Sequence, residues 1–264
     1  MKNVVLFDMD GTITPARKSI ESKVVDALSE LLKISEVGIV TGSGFDYVMQ
    51  QCGSFFNSKK DFSKLTILPC NGTQKYVHIN GEWKRESTLN MRQHLGENFF
   101  RSLMLLLSER VYVTHLINTS HNLPLTGHFI SYRDSLINWC PIGRSATNED
   151  RNIFRKLDEE NKIREYNLKI LKQSRFAERV DFALGGNTSI DIYPTGWDKT
   201  YALTHYIDYN HWFVGDRCTL PTGNDKPLYD KVGETNPDQS FEVKTTDDTI
   251  EIIKNIITKL NSEE

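Results

Sequence analysis

The sequence is poor in two features that mark large classes of proteins. Its four cysteines, at positions 52, 70, 140 and 218, contain no CxxC pair. This spacing argues against a zinc site and against a disulfide scaffold. No apolar run approaches the roughly 18 to 20 residues that span a bilayer, and the first residues resemble a strand rather than a signal peptide. We therefore expect a cytoplasmic protein without a membrane partner.

A strong excess of charge of either sign is also lacking. The formal net charge is -3 and the isoelectric point is about 6.2, so no nucleic-acid partner is expected and any basic binding site must be local. Hydrophobic residues make up 38% of the chain and charged residues 25%, as in ordinary globular proteins. The length of 264 residues suits one large domain or two of medium size.

The N-terminal stretch carries the strongest functional signal. Val4-Val5-Leu6-Phe7 is a continuous apolar run typical of a buried strand, and Asp8-Met9-Asp10-Gly11-Thr12 follows at once. Ligands of open α/β sheets bind at the carboxyl ends of strands. Asp8 is therefore a candidate nucleophile or metal ligand, and Asp10 a candidate acid and base. The alternative is an Asx turn that ends the strand.

A second apolar strand, Val37-Gly38-Ile39-Val40, ends in Thr41-Gly42-Ser43-Gly44. Small hydroxyl and glycine residues let a backbone approach an anion. This segment follows the first strand by one βα unit, which is where a phosphate-binding hydroxyl is expected. Either Thr41 or Ser43 would supply that hydroxyl. A plain strand-to-helix turn is the alternative.

Two later segments supply a cation and a third carboxylate. Lys199 opens a short helix, and the strand at residues 211–214 ends in Gly215-Asp216. Phosphoryl transfer needs a cation beside the phosphate and a metal. We expect Lys199 to supply that cation, and Asp8, the main-chain carbonyl of Asp10 and Asp216 to ligate Mg²⁺. Asn224-Asp225 are expected to anchor the metal loop or its waters. The alternatives are that Lys199 is an ordinary surface lysine and that Asp216 forms an Asx turn after its strand.

The periodicity of the remaining chain predicts an interrupted core. Helical spacing covers residues 20–32, and Asn80-Gly81 predicts a hairpin. Further helices are expected at residues 95–107, 148–160 and 162–173, with strands at 129–132, 136–139, 180–184 and 189–193. We predict an α/β core with a parallel sheet from residues 1–84 and 198–264, interrupted by an α+β cap at residues 85–197.

The DxDGT string resembles the nucleophile loop of the haloacid-dehalogenase superfamily, which implies a HAD-like Rossmannoid core. Several further motifs resemble those of the eukaryotic-type α-phosphomannomutases. They are Thr14-Pro15-Ala16-Arg17, Phe129-x-x-Tyr132-Arg133, Asn138-x-x-Pro141-Ile142-Gly143-Arg144-Ser145, Glu149-Asp150-Arg151, Gly185-Gly186, Ser189-Ile190-Asp191, Tyr193-Pro194-x-Gly196-Trp197-Asp198-Lys199, Gly215-Asp216-Arg217 and Pro221-x-Gly223-Asn224-Asp225.

This resemblance implies interconversion of mannose 6-phosphate and mannose 1-phosphate through an aspartyl phosphate. It also implies Mg²⁺, a hexose 1,6-bisphosphate activator (glucose or mannose), and a homodimer formed through the cap. Carried over by motif, one group of residues holds the distal phosphate and the sugar, and the cap arginines close on the ligand together with Arg17. The residues are Arg17, Arg133, Arg144 and Arg151, with Asn138, Ser189 and Asp191 at the sugar hydroxyls.

Two segments depart from the family pattern. Residues 41–44 read TGSG where a GGSD-like string is expected, and Lys231 occupies a position where the family's second cation loop, near residues 229–234, would carry a carboxylate. Two other functions compete with the mutase. One is a sugar-phosphate phosphatase on the same scaffold, in which water reaches the aspartyl phosphate. The other is a catalytically idle sugar-phosphate sensor, which the presence of Asp8, Asp10, Lys199 and Asp216 disfavours.

Overall fold

The computed structural model describes residues 2–57 and 61–262, and the chain divides into two compact units. The core unit comprises Met1–Thr88 and Trp197–Glu264, and the cap unit comprises Leu89–Gly196. The sequence-based boundaries at residues 84 and 198 differ slightly. Residues 85–88 belong to the core unit because a strand of its sheet continues to Thr88.

Strands and helices alternate at both ends of the chain, and longer helices occupy the middle. In chain order the elements are β1 (Lys2–Phe7), α1 (Ser22–Ile34), β2 (Glu36–Val40), α2 (Phe45–Phe56), β3 (Leu65–Leu68), β4 (Gln74–Ile79), β5 (Glu82–Thr88), α3 (Met91–Leu95), α4 (Glu97–Ile117), β6 (Ile130–Tyr132), β7 (Ile137–Trp139), α5 (Asn148–Asn161), α6 (Ile163–Gln173), β8 (Val180–Gly185), β9 (Ser189–Pro194), a 3₁₀ helix (Lys199–His205), β10 (Tyr209–Gly215), α7 (Lys226–Thr235), β11 (Ser240–Glu242) and α8 (Thr246–Ser262).

The core unit is built on a sheet of seven strands among the described residues, in the order β11-β10-β1-β2-β3-β4-β5. The five strands from β11 to β3 are parallel, and β4 and β5 continue the sheet as an antiparallel hairpin. This confirms the predicted α/β fold with a parallel sheet. Phe7 at the end of β1 is in register with Val214 of β10 and Ile39 of β2. The segments that follow these three strands therefore leave the sheet at the same edge.

Alternating side chains of β1 enter two separate hydrophobic clusters. Val5 and Phe7 pack in a cluster with residues of α1, α2 and α8, whereas Val4 and Leu6 pack on the other face with residues of α7 and the 3₁₀ helix. Successive side chains of a strand point to opposite faces, so both faces of this strand need apolar residues. This explains the continuous apolar run at the N-terminus, which is typical of a covered parallel sheet.

The cap unit has a sheet in the order β6-β7-β9-β8, with antiparallel pairing throughout. Its long helix begins at Glu97 and ends at Ile117, so it is longer than the predicted segment of residues 95–107. Gly96, at φ 84, ends α3 and precedes α4. Helix α5 begins with a capping box between Thr147 and Asp150.

Helix α1 also differs from the prediction at its start. The helical spacing begins at residue 20, whereas the structure places the N-cap at Glu21 and begins the helix at Ser22. No helix in the described ranges combines the length and the apolar character required to cross a bilayer.

Candidate active site

The carboxylate of Asp8 lies at the carboxyl end of β1. The main-chain N–H of Asp8 donates to the carbonyl oxygen of Val214 at 2.9 Å, which ties the loop after β1 to β10. The side chain is 5% exposed; its Oδ1 accepts a hydrogen bond from Lys199 Nζ, and Thr12 Oγ1 lies 3.4 Å from its Oδ2. The candidate nucleophile and the candidate cation are therefore in direct contact.

Lys199 lies between two buried carboxylates. It is 1% exposed, and its Nζ also contacts Asp225 Oδ1 at 2.5 Å. Asp225 is fully buried, and its Oδ2 accepts the main-chain N–H of Arg217 at 3.0 Å. Asp225 thus holds Lys199 toward Asp8. The sequence placed Asp225 near the metal loop but did not predict this ion pair, because the two residues are 26 positions apart.

The charges of this cluster change the pKa values of its members. Burial, followed by repulsion from Asp225, raises the pKa of Asp8 to about 7. Burial, followed by repulsion from Asp8 and Asp225, raises the pKa of Asp216 to about 8. Burial alone would lower the pKa of Lys199, but attraction to Asp225 and Asp8 outweighs it and raises that pKa. One ammonium group therefore faces three carboxylates, and the cluster favours a further cation.

The donor set of this cluster fits Mg²⁺. One oxygen each of Asp8, Asp216 and Asp225 lies within 4.8 Å of the others, and carboxylate oxygens are preferred ligands of this ion. Asn224 immediately precedes Asp225, and its side-chain Oδ1 is buried without a hydrogen-bond partner in the part of the chain that the structure describes. The cluster contains Asp8 and Asp216, two of the predicted ligand residues, and adds Asp225.

Gly11 allows Asp216 to approach the loop that carries Asp8. At Gly11 the backbone has a φ of 92, and a Cβ atom there would lie 2.3 Å from Asp216 Oδ2 and 2.8 Å from its Cγ. Any side chain would therefore displace Asp216, and the left-handed backbone also favours glycine. The glycine of the DxDGT string thus has a direct role in bringing two carboxylates together.

Asp10 accepts hydrogen bonds from two residues outside the carboxylate cluster. Its Oδ1 accepts the main-chain N–H of Arg17 at 3.0 Å and the hydroxyl of Tyr47 at 3.2 Å. Arg17 is exposed and has a left-handed backbone, at φ 61. Tyr47 lies in the first turn of α2, and no motif in the sequence pointed to it. These two donors orient the candidate acid and base through one of its two oxygens.

The two hydroxyl residues after β2 differ in their surroundings. Thr41 is 4% exposed, and its Oγ1 accepts the main-chain N–H of Ser43 at 3.1 Å. Ser43 is half-buried, and its carbonyl oxygen accepts the main-chain N–H of Cys70 at 3.0 Å. Helix α2 begins two residues later without a side-chain cap, so its first main-chain N–H groups also face this end of the sheet.

In the cap unit, hydrogen bonds link three of the predicted substrate-binding residues, Arg144, Asn138 and Asp191. Arg144 donates to Asn138 Oδ1 at 3.1 Å, and Asn138 Nδ2 donates to Asp191 Oδ1 at 2.6 Å. Asn138 and Asp191 face each other across β7 and β9. Burial, together with the positive charges of Arg133 and Arg151, lowers the pKa of Arg144 to about 10. The cap therefore concentrates arginine side chains at one place.

Arg151 is oriented differently from Arg144. It is 8% exposed, and its guanidinium donates to three protein acceptors, the carbonyl oxygens of Ala146 and Arg144 and the hydroxyl of Thr188. In this structure Arg151 therefore braces the loop that carries Arg144. Ser189, the remaining predicted contact, is buried at the start of β9.

Residues 229–234, which the sequence analysis compared with a second cation loop, lie within helix α7. Two exposed ion pairs lie along this helix. Lys226 pairs with Asp230 at 2.8 Å, and Lys231 pairs with Glu234 at 3.2 Å. Lys231, which the sequence analysis placed near an expected carboxylate, is thus an exposed and ion-paired residue of this helix.

The fold of the chain matches that of solved phosphatases. The N-terminally truncated, IMP-bound IMP-nucleotidase of Plasmodium falciparum has a TM-score of 0.64 at 14% identity, with 97% of this chain and 68% of that chain covered. At this identity the likeness establishes the fold alone, an α/β fold with a parallel sheet. The buried aspartate at the end of β1, in contact with a lysine, is an arrangement that suits the class of phosphoryl-transfer enzymes.

Sequence comparison identifies the family within this class. A model of the eukaryotic phosphomannomutase family matches residues 24–259. Phosphomannomutase 1 of Mus musculus is 34% identical over 228 residues, covering 85% of this chain and 82% of that protein. The phosphomannomutase of Saccharomyces cerevisiae is 33% identical over 256 residues, covering 96% and 93%. The chain therefore belongs to the eukaryotic phosphomannomutase family.

Proposed function

We propose that this protein is a phosphomannomutase that interconverts mannose 6-phosphate and mannose 1-phosphate. The observation that carries the proposal is the buried carboxylate of Asp8, which lies at the end of β1 in contact with Lys199. Family membership and the arginine cluster of the cap support a hexose phosphate as the substrate. A hexose 1,6-bisphosphate is the proposed activator and intermediate.

In the proposed reaction the carboxylate of Asp8 attacks the phosphorus atom of the bisphosphate. A bond forms between Asp8 and phosphorus, the bond from phosphorus to the sugar oxygen breaks, and Asp10 donates a proton to that oxygen. For the next turnover Asp10 accepts the proton of an incoming sugar hydroxyl, which takes the phosphoryl group from Asp8. Lys199 offsets the negative charge during both transfers.

Bound Mg²⁺ would offset the charge of the transferring phosphate. Asp8 and Asp216 are the proposed side-chain ligands, with the main-chain carbonyl of Asp10 as the third. Both carboxylate oxygens of Asp225 already accept hydrogen bonds, from Lys199 and from the main chain of Arg217. We therefore give Asp225 the role of orienting Lys199. For the phosphate-binding hydroxyl we favour Ser43 over Thr41.

The cap is proposed to bind the phosphate that is not reacting and the sugar. Arginine suits this role because its guanidinium binds phosphate through two parallel hydrogen bonds. Arg17, Arg133 and Arg144 are the proposed phosphate contacts. Arg151 supports Arg144, and Asn138, Ser189 and Asp191 are proposed for the sugar hydroxyls.

Replacing Arg144 by alanine is expected to weaken substrate binding more than catalysis. The lost contact is made to the non-reacting phosphate, so KM should rise by about ten- to a hundredfold while kcat changes less. Initial rates at varied mannose 1-phosphate measure both constants. The control is Arg155→Ala, because Arg155 is exposed on α5 and donates a hydrogen bond to the neighbouring Asn152 at 3.4 Å. A parent-like KM in Arg144→Ala would remove this residue from the binding site.

The mutase is distinguished from a phosphatase by one assay. Mannose 1-phosphate is supplied with Mg²⁺, with and without glucose 1,6-bisphosphate, and mannose 6-phosphate and free phosphate are measured in parallel. Bisphosphate-dependent formation of mannose 6-phosphate with little free phosphate is the expected result. Release of phosphate without the isomer would support the phosphatase instead.

We propose that the protein forms a homodimer through its cap. Three apolar side chains on α4, Leu105, Tyr112 and Leu116, are 64%, 66% and 57% exposed. Their spacing of seven and four residues places them on one face of the helix. A second copy of the chain, presenting the same stripe across a twofold axis, would cover these side chains on both copies.

The double variant Leu105→Asp/Leu116→Asp is expected to be monomeric, because the carboxylates would lose their hydration in the interface. Light scattering after gel filtration measures the mass. The matched control is Ile207→Asp, which changes an apolar residue that is 81% exposed in the core unit and should leave the dimer intact. A dimeric double variant would contradict the proposed interface.

The oxidation state of the cysteines supports a cytoplasmic location. All four are buried, and none of them forms a disulfide in the part of the chain that the structure describes. Cysteines without disulfides are typical of proteins from reducing compartments, and we therefore propose the cytoplasm.

A further inference from the structure

The turn after β3 contains three consecutive residues in the left-handed region. Cys70, Asn71 and Gly72 have φ values of 50, 64 and 87. A left-handed backbone is unfavourable for residues with a Cβ atom, although asparagine tolerates it better than most. Cys70 is 1% exposed and Asn71 is 5% exposed, so contact with solvent does not account for their left-handed backbone. Backbone strain of this kind clusters at functional sites.

One side of this turn holds the loop that follows β2. The main-chain N–H of Cys70 donates to the carbonyl oxygen of Ser43 at 3.0 Å, and that of Asn71 donates to the carbonyl oxygen of Thr41 at 2.8 Å. Both candidate hydroxyl residues therefore have their main chain fixed by the strained turn. The left-handed conformation is what turns these two successive N–H groups toward one loop.

The side chain of Asn71 reaches the segment that carries Lys199. Its Nδ2 donates to the carbonyl oxygen of Trp197 at 3.2 Å, two residues before Lys199 and 126 residues from Asn71 itself. Next to it, the carbonyl oxygen of Gly72 accepts a hydrogen bond from His205 Nε2 at 2.7 Å, at the end of the 3₁₀ helix.

Gly72 brings the same helix into close contact. A Cβ atom at Gly72 would lie 2.9 Å from the Cα and 3.0 Å from the main-chain nitrogen of Ala202. The turn therefore packs directly against the backbone of the 3₁₀ helix, and only glycine permits this distance. Residues 70–72 therefore connect the loop of residues 41–44 with the segment of residues 197–205.

We propose that Asn71 is a positioning residue for phosphoryl transfer. It sets the distance between the hydroxyl loop of residues 41–44 and Lys199, the two parts of the core unit that hold the transferring phosphate. This inference rests on the proposed function. Asparagine meets both requirements of the position, because it adopts the left-handed backbone and offers a side-chain N–H to Trp197. Small displacements of groups that hold a reacting atom reduce rates strongly.

Two variants separate the side-chain tether from the backbone conformation. Asn71→Gly keeps the left-handed backbone without strain but removes the amide, and Asn71→Asp keeps the size but replaces the donor with an oxygen that faces the Trp197 carbonyl. For Asn71→Gly we expect a melting temperature close to that of the parent, an unchanged KM and a kcat lowered about tenfold or more. Asn71→Asp should lose more activity.

The rate of phosphoryl transfer to Asp8 is measured directly in single turnovers with labelled glucose 1,6-bisphosphate. It should fall by the same factor as kcat in both variants. The matched control is Asn80→Gly, because Asn80 also has a left-handed backbone, at φ 54, but lies exposed in the β4–β5 hairpin. Asn80→Gly should behave as the parent does.

A parent-like kcat and labelling rate in Asn71→Gly would overturn the positioning role. So would loss of folding in both variants, since it would assign Asn71 to stability alone. These outcomes differ from failure of the proposed function. In that case the parent protein itself would not transfer phosphate to Asp8.

Discussion

Replacement of Asp8 by asparagine is expected to abolish isomerisation while the fold is retained. An amide oxygen is a far weaker nucleophile than a carboxylate, so no phosphoryl-enzyme should form, and kcat should fall by roughly four orders of magnitude or more. The side chains are nearly the same size. The raised pKa of Asp8 means that its ionised form opposes folding at neutral pH. The melting temperature should therefore stay at or above that of the parent.

The matched control for this experiment is Asp208→Asn. Asp208 is exposed in the segment before β10, and its replacement should change neither kcat nor the melting temperature. Residual turnover of Asp8→Asn within a factor of ten of the parent would contradict the assignment of Asp8 as the nucleophile.

Replacement of Lys199 by methionine is expected to reduce both stability and activity. Methionine fills much of the same volume, but the carboxylates of Asp8 and Asp225 would then lie buried without their cation. Removing one partner of a buried ion pair typically costs about 3–5 kcal/mol. The free energy of unfolding should fall by that amount in urea titrations with EDTA present, and kcat should fall by about a hundred- to a thousandfold.

Lys226→Met is the control for the loss of a lysine ion pair. Lys226 and Asp230 are 39% and 46% exposed, and such surface pairs contribute about 1 kcal/mol or less. Mg²⁺ should restore part of the stability of Lys199→Met, because it binds only the folded carboxylate cluster. An unfolding free energy equal to that of the parent in EDTA would show that Lys199 does not neutralise this cluster.

Local sequence patterns were sufficient to predict the central sheet and the sheet edge at which Asp8 and Asp216 lie. The apolar run of residues 4–7 predicts a strand covered on both faces, and the β1–β10 register places Asp8 and Asp216 at one edge. Such predictions succeed because the carboxyl ends of neighbouring parallel strands lie side by side. The close approach of Asp216 to Gly11 follows from this geometry.

Features that depend on tertiary pairing were not predictable in the same way. Asn80-Gly81 predicts a hairpin, and the hairpin is confirmed, but turn residues do not specify that β4 pairs with β3 and extends the core sheet. The Lys199–Asp225 ion pair, the hydrogen bond from Tyr47 to Asp10 and the hydrogen bond from Arg151 to Thr188 likewise join separate segments. No local spacing indicates them.

The most direct test of this account is to locate the phosphoryl group on the protein. The protein is mixed with glucose 1,6-bisphosphate labelled in its phosphates, quenched in acid and digested with pepsin, and the labelled peptide is sequenced by mass spectrometry. We expect label on Asp8 that is transferred to added mannose 6-phosphate to give mannose 1,6-bisphosphate. Interconversion of the hexose phosphates without label on Asp8 would contradict it.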